Sequence, residues 1–92
     1  RWFERPPQIE IIEIKVTTPK ILRYLKAHNL DDKWTKAISL FESNIKHPSL
    51  NTELMEPKEE MVYSFRIYHK YRALFMIKNN TAFVFRITNH YQ

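Results

Sequence analysis

Three runs rich in β-branched and aromatic residues, Met61 to Ile67, Tyr71 to Lys78 and Thr81 to Thr88, follow one another with only a few polar residues between them. Connections that short cannot hold a crossover, so each strand must turn back on the one before it and pair antiparallel. The expected joints are Tyr68-His69-Lys70 and Asn79-Asn80. The chain contains no glycine, so backbone positions that need positive φ fall to asparagine or aspartate. Asn79-Asn80 therefore reads as a hairpin turn of the primed type, and Asn29 as a left-handed helix terminator.

Upstream of this meander, after the Arg5-Pro6-Pro7 lead-in, QIEIIEIKV (residues 8 to 16) alternates as a strand does. Ile12, Ile14 and Val16 share one face, and Ile9 and Ile11 begin the other. Thr18 followed by Pro19 opens a helix whose apolar stripe is Ile21, Leu22 and Leu25. Asp31 or Asp32 is expected to cap a second helix, in which Trp34, Ala37, Ile38, Phe41 and Ile45 repeat at amphipathic spacing. HPSLNTELMEPKEE (residues 47 to 60) is polar, carries two prolines and lacks periodicity, so it reads as a loop, with His47 and Pro48 ending the helix. The expected fold is α+β: strand, helix, helix and three-stranded meander, an antiparallel sheet with a helical hairpin on one face.

A chain of 92 residues has room for one domain, here 1–92, and 43% apolar with 14% aromatic residues supply its core. Without cysteine, disulfides and thiolate metal sites are excluded, and a reducing compartment is compatible. His28, His47, His69 and His90 fall on four different segments and give no metal-ligand spacing. Apolar stretches are far shorter than the ~20 residues that span a bilayer, and no secretory signal pattern is present. A soluble cytoplasmic protein with no membrane partner is expected. A net charge of +5 favours anionic partners.

Two arginines stand close to the first hairpin turn. With a three-residue turn, Ile67 opposes Tyr71, Phe65 opposes Ala73 and Arg66 opposes Arg72. Tyr63, Phe65, Ile67, Tyr71, Ala73, Phe75 and Ile77 then face the helices, while Arg66 and Arg72 share the other face with Ser64. A two-residue turn would set Arg72 against Ile67 in the core, where an unpartnered charge is costly. Neighbouring guanidiniums repel unless an anion, a carboxylate or water screens them, and a phosphate serves that role. Ordinary exposed arginines paired with Glu59 or Glu60 satisfy the same pattern. Through an Asn79-Asn80 turn, Ile87 opposes Arg72, which brings His90 to the rim of the arginine surface. Histidine changes charge near neutral pH and suits proton transfer. Leu74, Met76, Phe83 and Phe85 make the remainder of that face apolar, a surface fit for a partner segment.

HPSL at 47 to 50, YSFRI at 63 to 67, YRALFMI at 71 to 77 and ITNHY at 87 to 91, in that order, resemble the RelE/ParE superfamily, the toxin half of bacterial type II toxin–antitoxin modules, and its RelE- and YoeB-like branch in particular. The resemblance implies a helical hairpin on an antiparallel sheet whose open face is the working surface. In the RNA-cleaving branch the site comprises the arginine of the Tyr-Arg pair, a basic residue on the preceding strand and polar groups after the last strand. Those roles fall on Arg72, Arg66, His90 and Tyr91, and His90-Tyr91 matches the terminal His-Tyr pair of YoeB-like members. A loop glutamate serves those relatives as general base, which makes Glu56 or Glu53 the candidate here. The same loop, NTELMEP, is acidic where relatives are often basic, and Ser64 stands where some members carry lysine. The implied reaction is metal-independent endoribonuclease cleavage of mRNA through its own 2′-hydroxyl, with no cofactor. Implied partners are a cognate antitoxin protein, mRNA and the ribosome. The alternatives are a ParE-like toxin that poisons DNA gyrase and a catalytically inactive homologue that only binds antitoxin.

Overall fold

A computed structural model of the chain describes residues 13–89. The first strand is described as β1 (Glu13–Val16), and Ile9, Ile11 and Ile12 lie outside the described residues. Helix α1 (Pro19–Ala27) starts as its sequence dictates, with the Thr18 hydroxyl accepting from the Lys20 N–H at 3.3 Å and proline in the first turn. It stops where Asn29, at φ 56°, turns left-handed. The N–H groups of Asn29 and Leu30 then donate back to the carbonyls of Lys26 and Leu25.

Helix α2 (Asp31–Ser43) follows at once, and neither aspartate caps it. Leu30 takes the cap position without a side-chain hydrogen bond, because its side chain is buried in the core. Burial of a leucine outweighs a surface cap. Asp31 and Asp32 sit instead in the first turn, where carboxylates face the positive end of the helix dipole. The helix is shorter than its periodicity suggests, so Ile45 packs on the core from the segment beyond it.

The sheet contains β2 (Glu53–Leu54), β3 (Tyr63–Tyr68), β4 (Tyr71–Lys78) and β5 (Thr81–Thr88), in spatial order β1-β5-β4-β3-β2. The pairs β2–β3, β3–β4 and β4–β5 are antiparallel, and β1 lies parallel to β5, with Ile14 opposite Ala82 and Val16 opposite Val84. The sheet is therefore mixed rather than wholly antiparallel. The reason is the path of the chain: the helical hairpin carries it from β1 to β2 at the opposite edge, and three antiparallel reversals bring β5 back beside β1 in the same direction. The stretch read as a loop also holds β2 and short 3-10 turns at Pro48–Leu50 and Lys58–Glu60.

Both helices cover one face of the sheet. Phe41 from α2 lies 4.9 Å from Phe65 and 5.2 Å from Phe75, and Trp34 stacks on Phe65 at 6.1 Å. Tyr71 turns towards α1, where it meets Tyr24 at 6.4 Å and His28 at 5.8 Å. Burial, and secondarily Tyr71, raise the Tyr24 hydroxyl above its ordinary value of 10.0.

Two irregularities set the register. The β3–β4 hairpin turns on His69 and Lys70, with Tyr68 opposite Tyr71, not on the three residues expected. A shift between Arg66 and Tyr68 absorbs Ile67, so Arg66 still opposes Arg72 and the arginine stays off the helix face. The β4–β5 hairpin turns on Asn79 and Asn80 at φ 53° and 62°, as the absence of glycine requires. A second shift between Leu74 and Phe75 leaves Phe85 as an extra residue on β5. Consequently Thr88, not Ile87, stands opposite Arg72.

Candidate functional site

On the sheet face away from the helices, alternation brings together Glu53 from β2, Ser64 and Arg66 from β3, Arg72 and Leu74 from β4, and Arg86 and Thr88 from β5. Arg66 and Arg72 are direct cross-strand neighbours, as their spacing predicts. Their environments differ. Arg66 is exposed, whereas Arg72 is only 1% exposed. Among the described residues Arg66 makes no ion pair with Glu59 or Glu60, which lie on an exposed 3-10 turn.

The Arg72 side chain runs across β3. Its Nε donates to the Ser64 hydroxyl at 3.0 Å, and its Nη2 donates to the Asn51 carbonyl at 2.6 Å and the Ser64 carbonyl at 3.3 Å. An arginine stays charged when buried, so oriented acceptors must replace its water shell. Ser64 itself is fully buried. These contacts fix the plane of the guanidinium and leave Nη1 as the nitrogen outside them.

Asn51 is reached through the HPSL segment. The His47 ring nitrogen Nδ1 accepts from the Ser49 N–H at 3.1 Å, starting the 3-10 turn at Pro48–Leu50. The turn closes on Asn51 at φ 47° and ψ 53°, a left-handed conformation that asparagine tolerates better than most residues. Its neighbours hold it in place: Leu50 is buried in the core, and the buried Thr52 donates its hydroxyl to the Ile45 carbonyl at 2.9 Å. From there the Asn51 side-chain amide donates to the Glu53 carboxylate at 3.2 Å.

Of the two acidic candidates, Glu53 joins the arginine surface, opposite Ser64 and linked through Asn51 to Arg72. Glu56 is exposed and precedes a cis peptide bond to Pro57, beyond the end of β2. His90 and Tyr91 lie outside the described residues. Sequence reasoning did not single out Asn51. The rule that finds Asn29, Asn79 and Asn80 in a glycine-free chain reaches it equally, since all four have positive φ.

Beyond Leu74 the open face carries Met76 and Phe85, 43% and 36% exposed, and Phe83, with Lys15 of β1 and Lys78 at its margins. The groove between the helices, about 270 Å³ and lined by Leu22, Leu25, Lys26, Asp31, Trp34 and Thr35, is separate from this surface. Among the described residues no group of three or more histidine and carboxylate side chains could hold a metal ion, and no helix is long and apolar enough to cross a membrane.

No protein-family model matches the sequence, and no curated protein matches it either. Solved structures share its fold. A YoeB dimer from Staphylococcus aureus matches with a TM-score of 0.68 at 16% identity, over 88% of this chain and 99% of the other. A chain of the heterotetrameric YoeB-YefM toxin-antitoxin complex of the same organism matches at 0.63 and 17% identity, over 85% and 95%. YafQ from E. coli matches at 0.65 and 9% identity, over 80% and 88%. At such identities the likeness is one of fold, and function has to be argued from the site.

Proposed function

We propose that this chain, which shares its fold with YoeB and YafQ, is the toxin of a toxin–antitoxin pair and acts as a metal-independent endoribonuclease on mRNA, with the ribosome as the setting of cleavage. The observation that carries the reading is the Arg66–Arg72 pair, set in register on the uncovered face of the sheet. Two adjacent cations suit a phosphate whose negative charge grows as the 2′-hydroxyl attacks. In this reading Arg66 meets the phosphate from solvent and Arg72 supplies a pre-oriented positive charge. Glu53, closer to the arginines in the hydrogen-bond network than Glu56, takes the proton from the 2′-hydroxyl. His90 protonates the leaving oxygen, and Tyr91 stacks on a base. A cognate antitoxin silences the site by lying across the apolar part of the same face, and YoeB is paired with an antitoxin in its YoeB-YefM complex.

A second reading, an antitoxin-binding relative without catalysis, draws support from the near-complete burial of Arg72. Induction of the chain in bacteria, followed by primer extension on cellular mRNA, separates the possibilities. Codon-linked cuts that weaken with Arg66→Ala are expected. DNA breaks with intact mRNA would instead indicate gyrase poisoning, and neither effect would indicate the silent relative.

A further inference from the structure

The HPSL segment and the asparagine after it have no role in the chemistry above, yet they end at the guanidinium of Arg72. We propose that Asn51 and Ser64 are positioning residues that clamp Arg72, the left-handed backbone of Asn51 presenting its carbonyl to Nη2 while the Ser64 hydroxyl takes Nε. The purpose assigned to the clamp, orienting one cation for a phosphate, rests on the nuclease reading; the clamp itself does not.

Three features make it a built device. The acceptors approach two different nitrogens of one guanidinium, so they fix rotation as well as position. The Asn51 carbonyl is aimed by φ 47°, which a β-branched residue resists, and the buried Leu50 and Thr52 on either side prevent the segment from relaxing. Ser64 contributes both its hydroxyl and its carbonyl from a fully buried position on β3. Asn51 also ties the Glu53 carboxylate to the same node, so a single residue sets the arrangement of acid and cation. Because the aim comes from the backbone, the side chain allowed at this position is decided by conformation. Glycine keeps the carbonyl where it is, and valine moves it.

The test follows the Nε–H of Arg72 by nitrogen-15 NMR, assigned by its disappearance in Arg72→Lys, with thermal melting used to confirm that each variant is folded. Slow exchange with water is expected in the wild type and in Asn51→Gly. About fivefold to tenfold faster exchange is expected in Ser64→Ala and Asn51→Val. RNA cleavage is then measured on an mRNA with ribosomes supplied. Ser64→Ala and Asn51→Val should lower kcat by about 10²-fold with KM little changed, and Asn51→Gly, which keeps the carbonyl but removes the amide tie to Glu53, should lose less than Asn51→Val. Equal exchange in the wild type, Ser64→Ala and Asn51→Val would overturn the clamp. So would exchange in Asn51→Gly as fast as in Asn51→Val, whereas faster exchange in Ser64→Ala and Asn51→Val with kcat unaltered would overturn the purpose assigned to the clamp. If the wild type cuts no RNA, the nuclease reading fails, and the clamp stands or falls on exchange alone.

Discussion

The two arginines occupy opposed positions on one face and yet pose different experimental problems. Arg66 is exposed, so Arg66→Ala should change stability by no more than about 0.5 kcal/mol while reducing cleavage and growth arrest. Denaturant titration beside the induction assay checks both. Arg72→Ala leaves the fully buried Ser64 hydroxyl without its donor and removes the donor from the Asn51 carbonyl, and a cost of about 3 kcal/mol is expected in the same titration. Loss of activity in that variant is therefore informative only beside its melting curve. That the pair shares a face was legible in the sequence, because the other register would bury Arg72 unpartnered; the structure reaches it by a two-residue turn and the shift at Ile67 in place of the three-residue turn expected. The depth of Arg72 was not, since depth depends on residues 51 to 54 lying alongside β3, and nothing in the spacing of 63 to 77 reports a neighbour supplied by a polar, proline-bearing stretch.

Turns dominate at the level of strands and helices. Asn79 and Asn80 do the work of glycine in the β4–β5 hairpin, and Asn79→Val is expected to lower stability by about 1–2 kcal/mol, read as a shift in the denaturant midpoint at constant slope. Where composition forced a choice, at Asn29 and at this turn, the sequence was a sufficient guide. The left-handed Met61 and His69 were not foreseen, because methionine does not favour that conformation and the histidine reads only as part of a three-residue turn. The bulge at Phe85 was equally hidden. A two-residue turn sets register at its own end of a hairpin, and an extra residue farther along resets it without glycine or proline to announce the change. A separate consequence concerns the contact between α1 and β4. The fold favours the neutral hydroxyl of Tyr24, whose value is raised above 10.0 by burial and then by Tyr71. Its contribution to stability is complete below pH 10 and is lost as pH rises through the raised folded value. Alkaline unfolding should therefore begin at lower pH in the wild type than in Tyr24→Phe, followed by circular dichroism.

For the whole molecule, a net charge of +5 makes long-range attraction to RNA salt-dependent. Each phosphate contact on a single strand contributes about 0.7 to the slope of log affinity against log salt. Arg66→Ala is expected to reduce that slope by about this amount in a binding titration, whereas a mere structural role for Arg66 leaves it unchanged. The overall architecture was readable because local signals agreed with one another across the meander and the helical hairpin. The parallel docking of β1 was not, as it joins segments from opposite ends of the sequence and has no local signature.

That docking has a consequence during synthesis. Ile14 is made well before Ala82, its neighbour in the finished sheet, and must wait for it, as Val16 must wait for Val84. The most distant strand contact is thus the last that translation permits. A nascent chain halted before β5 emerges holds both arginines but lacks the strand that flanks Arg72 on one side and β1 on the other. A cell making this protein is expected to meet its finished working surface only once β5 has been made and β1 has docked on it.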